Sequence, residues 1–215
     1  MLPGTLCDGR VFAPVLSRLG LNADCLPLAG AESAAALAQL LLADAPERFS
    51  LCGFSLGAIV ALEIIAQAPE RVDRLALIGC NAGVLDAEAR AARSLRSKSD
   101  FLAGETSPLL RQMADATPDA TYRQQTAITL SRADSRPRLH RIAVPTLVLC
   151  GANDNICPPA LSRQIANAIP HSYLRVIPGA GHYVLLEAPD AVSVEFLAWL
   201  ATPSPPSTEG PGHGR

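Results

Sequence analysis

The chain has 215 residues, of which 49% are hydrophobic, and its formal net charge at pH 7 is −2. This length and composition predict a single domain with a sizeable apolar core. The small net charge excludes a global electrostatic field that would attract nucleic acid or an anionic membrane. We therefore expect neither nucleic acid nor a membrane as partner. The sequence leaves the oligomeric state open.

The N-terminal sequence and the cysteines both indicate the cellular compartment of the protein. Residues 1–5 show neither the basic start nor the apolar run of a signal peptide. The cysteines form no Cys-x-x-Cys pair, and most lie in or beside apolar strands. Buried free thiols in a reducing cytoplasm are the usual reason for this pattern, with disulfides or metal as alternatives. We expect a cytoplasmic protein. The six cysteines are Cys7, Cys25, Cys52, Cys80, Cys150 and Cys157.

Helices and strands are predicted to alternate along most of the chain. In chain order they are a helix over Phe12–Leu19, a strand over Asp24–Leu28, a helix over Ser33–Leu42 with Ser33 as N-cap, a strand over Phe49–Cys52, a helix over Ala58–Ala68, strands over Leu75–Gly79 and Thr146–Cys150, a helix over Pro159–Ile169, a strand over Tyr173–Ile177 and a helix over Glu187–Leu200. This order predicts an α/β fold with a mostly parallel sheet flanked by helices. In such sheets functional groups gather beyond the carboxyl ends of the strands.

Residues 81–139 break the alternation. They contain no clear strand and several predicted helices, around 86–102, 108–114 and 120–132. Because an insertion after a strand's carboxyl end lies over the active face, we interpret residues 81–139 as a small helical cap. Residues 81–141 hold 10 Lys and Arg against 7 Asp and Glu, an excess of 10 − 7 = +3. Such an excess usually reflects a solvated surface, and a preference for acidic substrates is the alternative.

The resulting domain organisation has three parts. Residues 1–80 and 140–201 form the α/β core, and residues 81–139 form the cap segment. Residues 202–215 are rich in proline, glycine and serine. They cannot bury enough apolar surface to fold, so we expect a disordered tail.

The first candidate for chemistry is Ser55, in the pentapeptide Gly53-Phe54-Ser55-Leu56-Gly57 between a predicted strand and helix. A serine on such a sharp turn has a strained backbone and an exposed hydroxyl. Taken alone, the pentapeptide is equally consistent with a glycine-rich turn that holds an incidental serine. A serine nucleophile also needs a base and a group that orients the base.

His182 and Asp154 are the candidates for those two roles. His182 follows the strand Tyr173–Ile177 in a Gly-x-Gly-His loop, and Asp154 follows the strand Thr146–Cys150. The structural alternatives are a loop histidine whose hydrogen bonds are satisfied locally, for His182, and an Asx turn, for Asp154. The order Ser55, Asp154, His182 is that of α/β-hydrolases and differs from the chymotrypsin and subtilisin orders.

The developing oxyanion of an acyl-transfer reaction needs hydrogen-bond donors. We predict the backbone N–H groups of Leu56, which follows the nucleophile, and of Thr5, in the N-terminal loop 3–9. A simple N-terminal turn is the alternative for that loop. Leu6, Phe54 and Tyr183 are the predicted residues of the substrate pocket.

With these residues in view, the chain resembles the α/β-hydrolase superfamily over about residues 1–200. It looks most like small bacterial esterases and lactonases whose oxyanion loop reads Gly-x-x-x-Asp before an aromatic, here Gly4 to Asp8 followed by Phe12. The remaining matches are Gly53-Phe54-Ser55-Leu56-Gly57, residues 145–154, Pro178-Gly179-Ala180-Gly181-His182 and Glu187-Ala188-Pro189-Asp190. Family members usually have two or three strands before the oxyanion loop, where this chain has Met1 and Leu2, and their caps are usually longer.

The resemblance implies a serine hydrolase that cleaves a small ester, lactone or thioester through a Ser-His-Asp triad and an acyl-enzyme, without a metal or organic cofactor. Hydrolysis of C–C bonds and cofactor-free perhydrolysis use the same triad and stay open. The N-terminal strands that the resemblance implies are missing, either because the start codon is assigned too late or because the sheet has lost an edge. A lost edge would favour the alternative from another class, a non-catalytic remnant or binding protein.

Overall fold

The computed structural model describes residues 1–101, 103 and 107–203. Its α-helices are α1 (Ala13–Leu19), α2 (Ala34–Asp44), α3 (Leu56–Gln67), α4 (Ala87–Leu95), α5 (Lys98–Phe101), α6 (Pro108–Ala116), α7 (Asp119–Ser131), α8 (Pro159–Ala168), α9 (Val184–Glu187) and α10 (Pro189–Ala201). Its strands are β1 (Phe49–Phe54), β2 (Val72–Ile78), β3 (Thr146–Gly151) and β4 (Ser172–Ile177). Short 3₁₀ helices cover Gly9–Val11, Pro69–Arg71 and Arg136–Arg141.

The strands form one parallel sheet in the order β1-β2-β3-β4 within the described ranges. Leu2 extends this sheet beyond β1 through a single parallel bridge to Gly53. The α/β fold predicted from the sequence, with a parallel sheet flanked by helices, is confirmed. The parallel direction brings the carboxyl ends of all these strands to one edge, where the candidate site lies.

Two apolar clusters cover the two faces of the sheet. Alternate strand residues enter one or the other, because successive side chains of a strand point to opposite faces. Leu75, Leu77 and Val148 pack with helices α2 and α3. Ala76 and Ile78 pack on the other face with residues of α1 and α10. Burial on both faces explains the continuous apolar runs of β2 and β3.

Most predicted elements are confirmed to within a few residues, and Ser33 caps α2 by accepting a hydrogen bond from the N–H of Ala36 at 3.2 Å. The strand predicted over Asp24–Leu28 is wrong, because that segment has no regular structure. Two hydrogen bonds join it to Met1, one to the carbonyl of Asp24 and one from the N–H of Leu26. A regular strand needs a longer row of neighbouring backbone groups than this contact provides.

The C-terminal helix predicted over Glu187–Leu200 starts later, as α10, and the separate turn α9 precedes it. Pro189 explains the break, since its ring cannot continue a helix but suits a first helical position. Between β2 and β3 the described residues form helices α4 to α7 and the 3₁₀ helix, as the cap prediction requires. The division into core and cap stays a prediction. Of the predicted tail, residues 204–215 lie outside the described residues.

No described helix is both long and apolar enough to cross a lipid bilayer.

The sheet core predicts a large stability cost for one deletion. Leu77 is fully buried in β2, whereas Leu197 on α10 is 56% exposed. Leu77→Ala should lower the free energy of unfolding by about 2–5 kcal/mol, because it removes buried methyl groups and leaves a cavity. The matched change Leu197→Ala should alter it by about 0.5 kcal/mol or less. Urea unfolding of both variants measures this, and equal losses would contradict the assigned packing.

Candidate active site

Ser55 lies between β1 and α3 with φ 52° and ψ −113°, a backbone conformation that a non-glycine residue adopts only under strain. Its N–H donates to the carbonyl of Ile78 at 2.8 Å, which ties the turn to the end of β2. The neighbouring glycines are required by contact: a Cβ on Gly53 would overlap the carbonyl oxygen of Gly57. The strained strand-to-helix turn predicted from the sequence is therefore present.

His182 is within hydrogen-bond reach of both other triad candidates. Its Nε2 is 3.0 Å from the Ser55 Oγ, and its Nδ1 is 2.8 Å from the Asp154 Oδ2. Asp154 is 3% exposed and His182 is 8% exposed, so water screens their interaction little. The rings of Phe54 and Tyr183 pack against the imidazole, with centroids at 5.2 and 5.6 Å. The structure thus brings the three predicted residues into one hydrogen-bonded chain.

Asp154 uses its two oxygens for two purposes. While Oδ2 meets His182, Oδ1 accepts hydrogen bonds from the N–H groups of Ile156 at 2.9 Å and Cys157 at 2.7 Å. The second pair of bonds is the Asx-type turn that the sequence offered as an alternative. The contact with His182 and the Asx-type turn are therefore both present, and the turn fixes the carboxylate that faces the imidazole.

Sequence reasoning missed two residues that position His182. The Glu187 carboxylate accepts from the N–H of Gly181 at 2.5 Å and of Tyr183 at 2.9 Å, so it holds the loop on both sides of the histidine. Gly79, at the end of β2, has φ 54°, and a Cβ there would lie 3.2 Å from the His182 Cε1. Glu187 was visible only as part of a family motif, and the short Leu75–Gly79 strand ending in glycine was the only signal for Gly79.

The predicted oxyanion donors, Thr5 and Leu56, both line the cavity that contains Ser55. No hydrogen bond within the described part of the chain uses the N–H of either residue. A turn closed by the N–H of Cys7 and the carbonyl of Gly4 orients the Thr5 peptide. Gln125 on α7 supports this turn, which sequence reasoning did not foresee: its Oε1 accepts from the N–H of Leu6 at 3.0 Å.

The cavity has a volume of about 360 Å³ and lies between the strand ends and the cap segment. Phe54 and Tyr183 line it, as predicted for pocket residues. Leu6 does not: it is 2% exposed and packs with Ala114 and Tyr122. Its φ of 57° belongs to the turn that exposes the Thr5 amide, and the side chain is turned into the protein. The other lining residues are Gly4, Thr5, Ser55, Leu56, Ile59, Asn81, Leu85, Ala89, Ala92, Arg93, Arg96, Phe101, Thr129, Arg132, Ile156, Cys157 and His182.

Among the described residues, no three His, Cys, Asp or Glu side chains come together as a metal site would require. All six cysteines are free thiols, and five of them are buried.

Comparison with known proteins gives the family. The family model described as the alpha/beta hydrolase family matches residues 2–195. The pimeloyl-[acyl-carrier protein] methyl ester esterase of Pectobacterium carotovorum subsp. carotovorum is 31% identical over 200 residues, which cover 79% of this chain and 77% of that protein. The chain therefore belongs to the alpha/beta hydrolase family and is a hydrolytic enzyme.

Solved structures agree with this assignment. A thermophilic esterase from Thermogutta terrifontis superimposes with a TM-score of 0.78 at 25% identity, over 93% of this chain and 87% of that one. A bromoperoxidase from Bacillus anthracis superimposes with a TM-score of 0.74 at 19% identity, over 94% of this chain and 91% of that one. The second likeness shows the fold alone. Because proteins with different activity names share this fold, the reaction has to be argued from the site.

Cys157 offers a test of the site's burial. Burial, together with the smaller effect of the nearby Asp154 carboxylate, raises the pKa of its thiol to about 12. At pH 8 the thiolate fraction should be roughly 10³-fold lower than for a thiol of ordinary pKa, since thiolate falls tenfold for each unit. Iodoacetamide at pH 8 should therefore leave Cys157 unmodified in the folded protein and modify it after denaturation. Peptide mass spectrometry measures this, and rapid labelling of folded Cys157 would contradict the packing.

Proposed function

We propose that this hydrolase cleaves small carboxylic esters, lactones or thioesters through an acyl-enzyme on Ser55. The observation that carries the proposal is the chain of contacts from the Ser55 Oγ through the His182 imidazole to the Asp154 carboxylate, at 3.0 and 2.8 Å, which opens into a cavity. Serine is a weak nucleophile at neutral pH, and this arrangement supplies the base that it needs.

Asp154 sets the tautomer of the base. Since a carboxylate accepts hydrogen bonds, its Oδ2 holds the proton on Nδ1 of His182, and Nε2 is left free to accept from Ser55. As the Ser55 oxygen attacks the substrate carbonyl, its proton passes to Nε2, and the carboxylate stabilises the imidazolium that forms. His182 then returns the proton to the leaving group. Water, activated by the same nitrogen, hydrolyses the acyl-enzyme.

The negative charge that develops on the substrate oxygen would be held by the N–H groups of Thr5 and Leu56. These amides have no partner within the described residues, and both residues line the cavity. The Leu56 amide also belongs to the first turn of α3, whose dipole favours negative charge at this end.

The esterase names of two relatives support an ester as the scissile group. Hydrolysis of C–C bonds and perhydrolysis remain alternatives on the same triad. A panel of esters, thioesters and β-diketones, with and without peroxide, separates them. We also propose a cytoplasmic location, which the free, buried thiols support because such thiols persist in a reducing compartment.

Ser55→Ala should abolish labelling by a fluorophosphonate probe and reduce ester hydrolysis by about 10³-fold or more, because the nucleophile is removed. In-gel fluorescence of the purified protein and an assay with 4-nitrophenyl esters measure both effects. Heat-denatured protein is the control for non-specific labelling. Wild-type turnover by the variant would contradict the mechanism.

Asp154→Asn should reduce kcat on the order of 10³- to 10⁴-fold through the wrong histidine tautomer. If the asparagine oxygen keeps the bonds from the Ile156 and Cys157 amides, its NH₂ group faces His182 and forces Nδ1 to become an acceptor. Nε2 then carries the proton and cannot take one from Ser55.

Asp190→Asn is the matched control, because that carboxylate is 85% exposed and pairs with Arg18 at the surface. Steady-state kinetics of the two variants should show a large loss for the first and none for the second. Similar kcat values for both would show that Asp154 does not orient the base.

A further inference from the structure

The cavity that contains Ser55 is cationic on the side of the cap segment. Arg93, Arg96 and Arg132 of the cap segment line it, and no aspartate or glutamate is among the described lining residues. A pocket for a neutral acyl substrate needs no such charges. They call for an explanation in terms of either packing or a ligand.

Arg132 directly follows α7 and is 8% exposed. Its Nε and Nη2 atoms are buried, and neither has a hydrogen-bond partner within the described residues. Burial lowers the pKa of this guanidinium, although arginine stays charged at physiological pH. A buried cation without a partner destabilises a protein strongly, so packing gives no reason to keep one.

The titratable neighbours of Arg132 supply no counter-charge. They are the thiols of Cys80 and Cys157. Burial raises the pKa of both thiols, that of Cys157 to about 12 and that of Cys80 further, so both are neutral near pH 7. The Asp154 carboxylate, which lies near Cys157, is engaged by His182 and by two backbone amides.

Arg93 on α4 repeats the same feature. Its guanidinium packs against the rings of Phe101 at 5.4 Å and Tyr122 at 5.6 Å, which hold its plane in one orientation. Its Nε and Nη2 are likewise buried without a partner in the described part of the chain. In both arginines the free donors are therefore the Nε–Nη2 pair, which forms one edge of the guanidinium and matches the two oxygens of a carboxylate.

We propose that Arg132, with Arg93 as a second guanidinium in the same cavity, binds a carboxylate carried by the substrate. The enzyme would then hydrolyse acidic esters or lactones in preference to neutral ones. This inference rests on the proposed function, since it assumes that Ser55 is the nucleophile of that cavity. The sequence left two explanations for the positive charge excess of the cap segment, a solvated surface or a preference for acidic substrates. The carboxylate site favours the second.

The test compares acidic esters with neutral esters of the same length. Mono-4-nitrophenyl glutarate against 4-nitrophenyl pentanoate places the carboxylate on the acyl side. The pair 4-carboxyphenyl butyrate and phenyl butyrate places it on the alcohol side. At least one acid should exceed its neutral partner in kcat/KM by about 10- to 100-fold, as expected for a charge-assisted pair. The preference should persist in 1 M NaCl, where the Debye length is about 3 Å, because a buried pair is screened little.

Three variants locate the effect. Arg132→Met keeps an unbranched apolar side chain but removes the guanidinium, so it should bring the ratio of acidic to neutral kcat/KM close to one. Arg132→Lys, which keeps the positive charge, should restore part of the ratio. Arg90→Met is the matched control, since Arg90 is an exposed residue of α4 that does not line the cavity. It removes the same charge from the cap and should leave the ratio unchanged. If Arg132→Met does not fold by circular dichroism, Arg93→Met replaces it, with the same expected fall.

Fluorophosphonate labelling of Ser55 is run on every protein, so that the two proposals can fail separately. A labelled wild type with no preference for either acid overturns the carboxylate site and leaves the proposed function standing. An equal fall of the ratio in Arg90→Met and Arg132→Met also overturns it, because the effect would then come from the general charge of the cap. Folded protein that is not labelled overturns the proposed function and this inference with it.

Discussion

The candidate site depends on close backbone contacts that leave no room for a Cβ atom. A side chain at Gly57 would overlap the carbonyl of Leu2, and one at Gly53 would overlap Gly57 itself. At the other end of the site, a Cβ on Gly151 would overlap the carbonyl of Gly181, next to the histidine. These contacts set how near the turn of Thr5, Ser55 and His182 can approach one another. The hydrogen bonds between the triad side chains are consequences of that approach.

The order of strands and helices was enough to predict that the three candidate residues lie close together in the folded chain. Ser55, Asp154 and His182 each follow a predicted strand, and parallel strands must end at the same edge of a sheet. The local sequence pattern around each of these three residues was therefore enough to predict that they meet in space. The same reasoning failed for Asp24–Leu28, since an apolar stretch becomes a strand only where another strand lies beside it.

The supporting residues could not be predicted, because their roles exist only in the folded chain. Glu187 holds the histidine loop through two backbone amides, and Gln125 reaches the oxyanion turn from 119 residues away in sequence. Leu6 stands beside a cavity residue in the sequence, yet one positive φ turns it into the protein. Likewise, the charge count of the cap gave the sign of its field without showing that Arg132 is buried and Arg90 exposed.

Helix α7 connects two parts of the candidate site, the turn of Thr5 and Arg132. Gln125 on this helix accepts the hydrogen bond that steadies the turn containing Thr5, the proposed oxyanion donor, and the helix ends immediately before Arg132. A substrate group that holds Arg132 in place would therefore also restrain the helix that orients the Thr5 amide. Binding of the substrate carboxylate would then also stabilise the geometry used in the reaction. Substrates without a carboxylate would therefore have a lower kcat as well as a lower affinity.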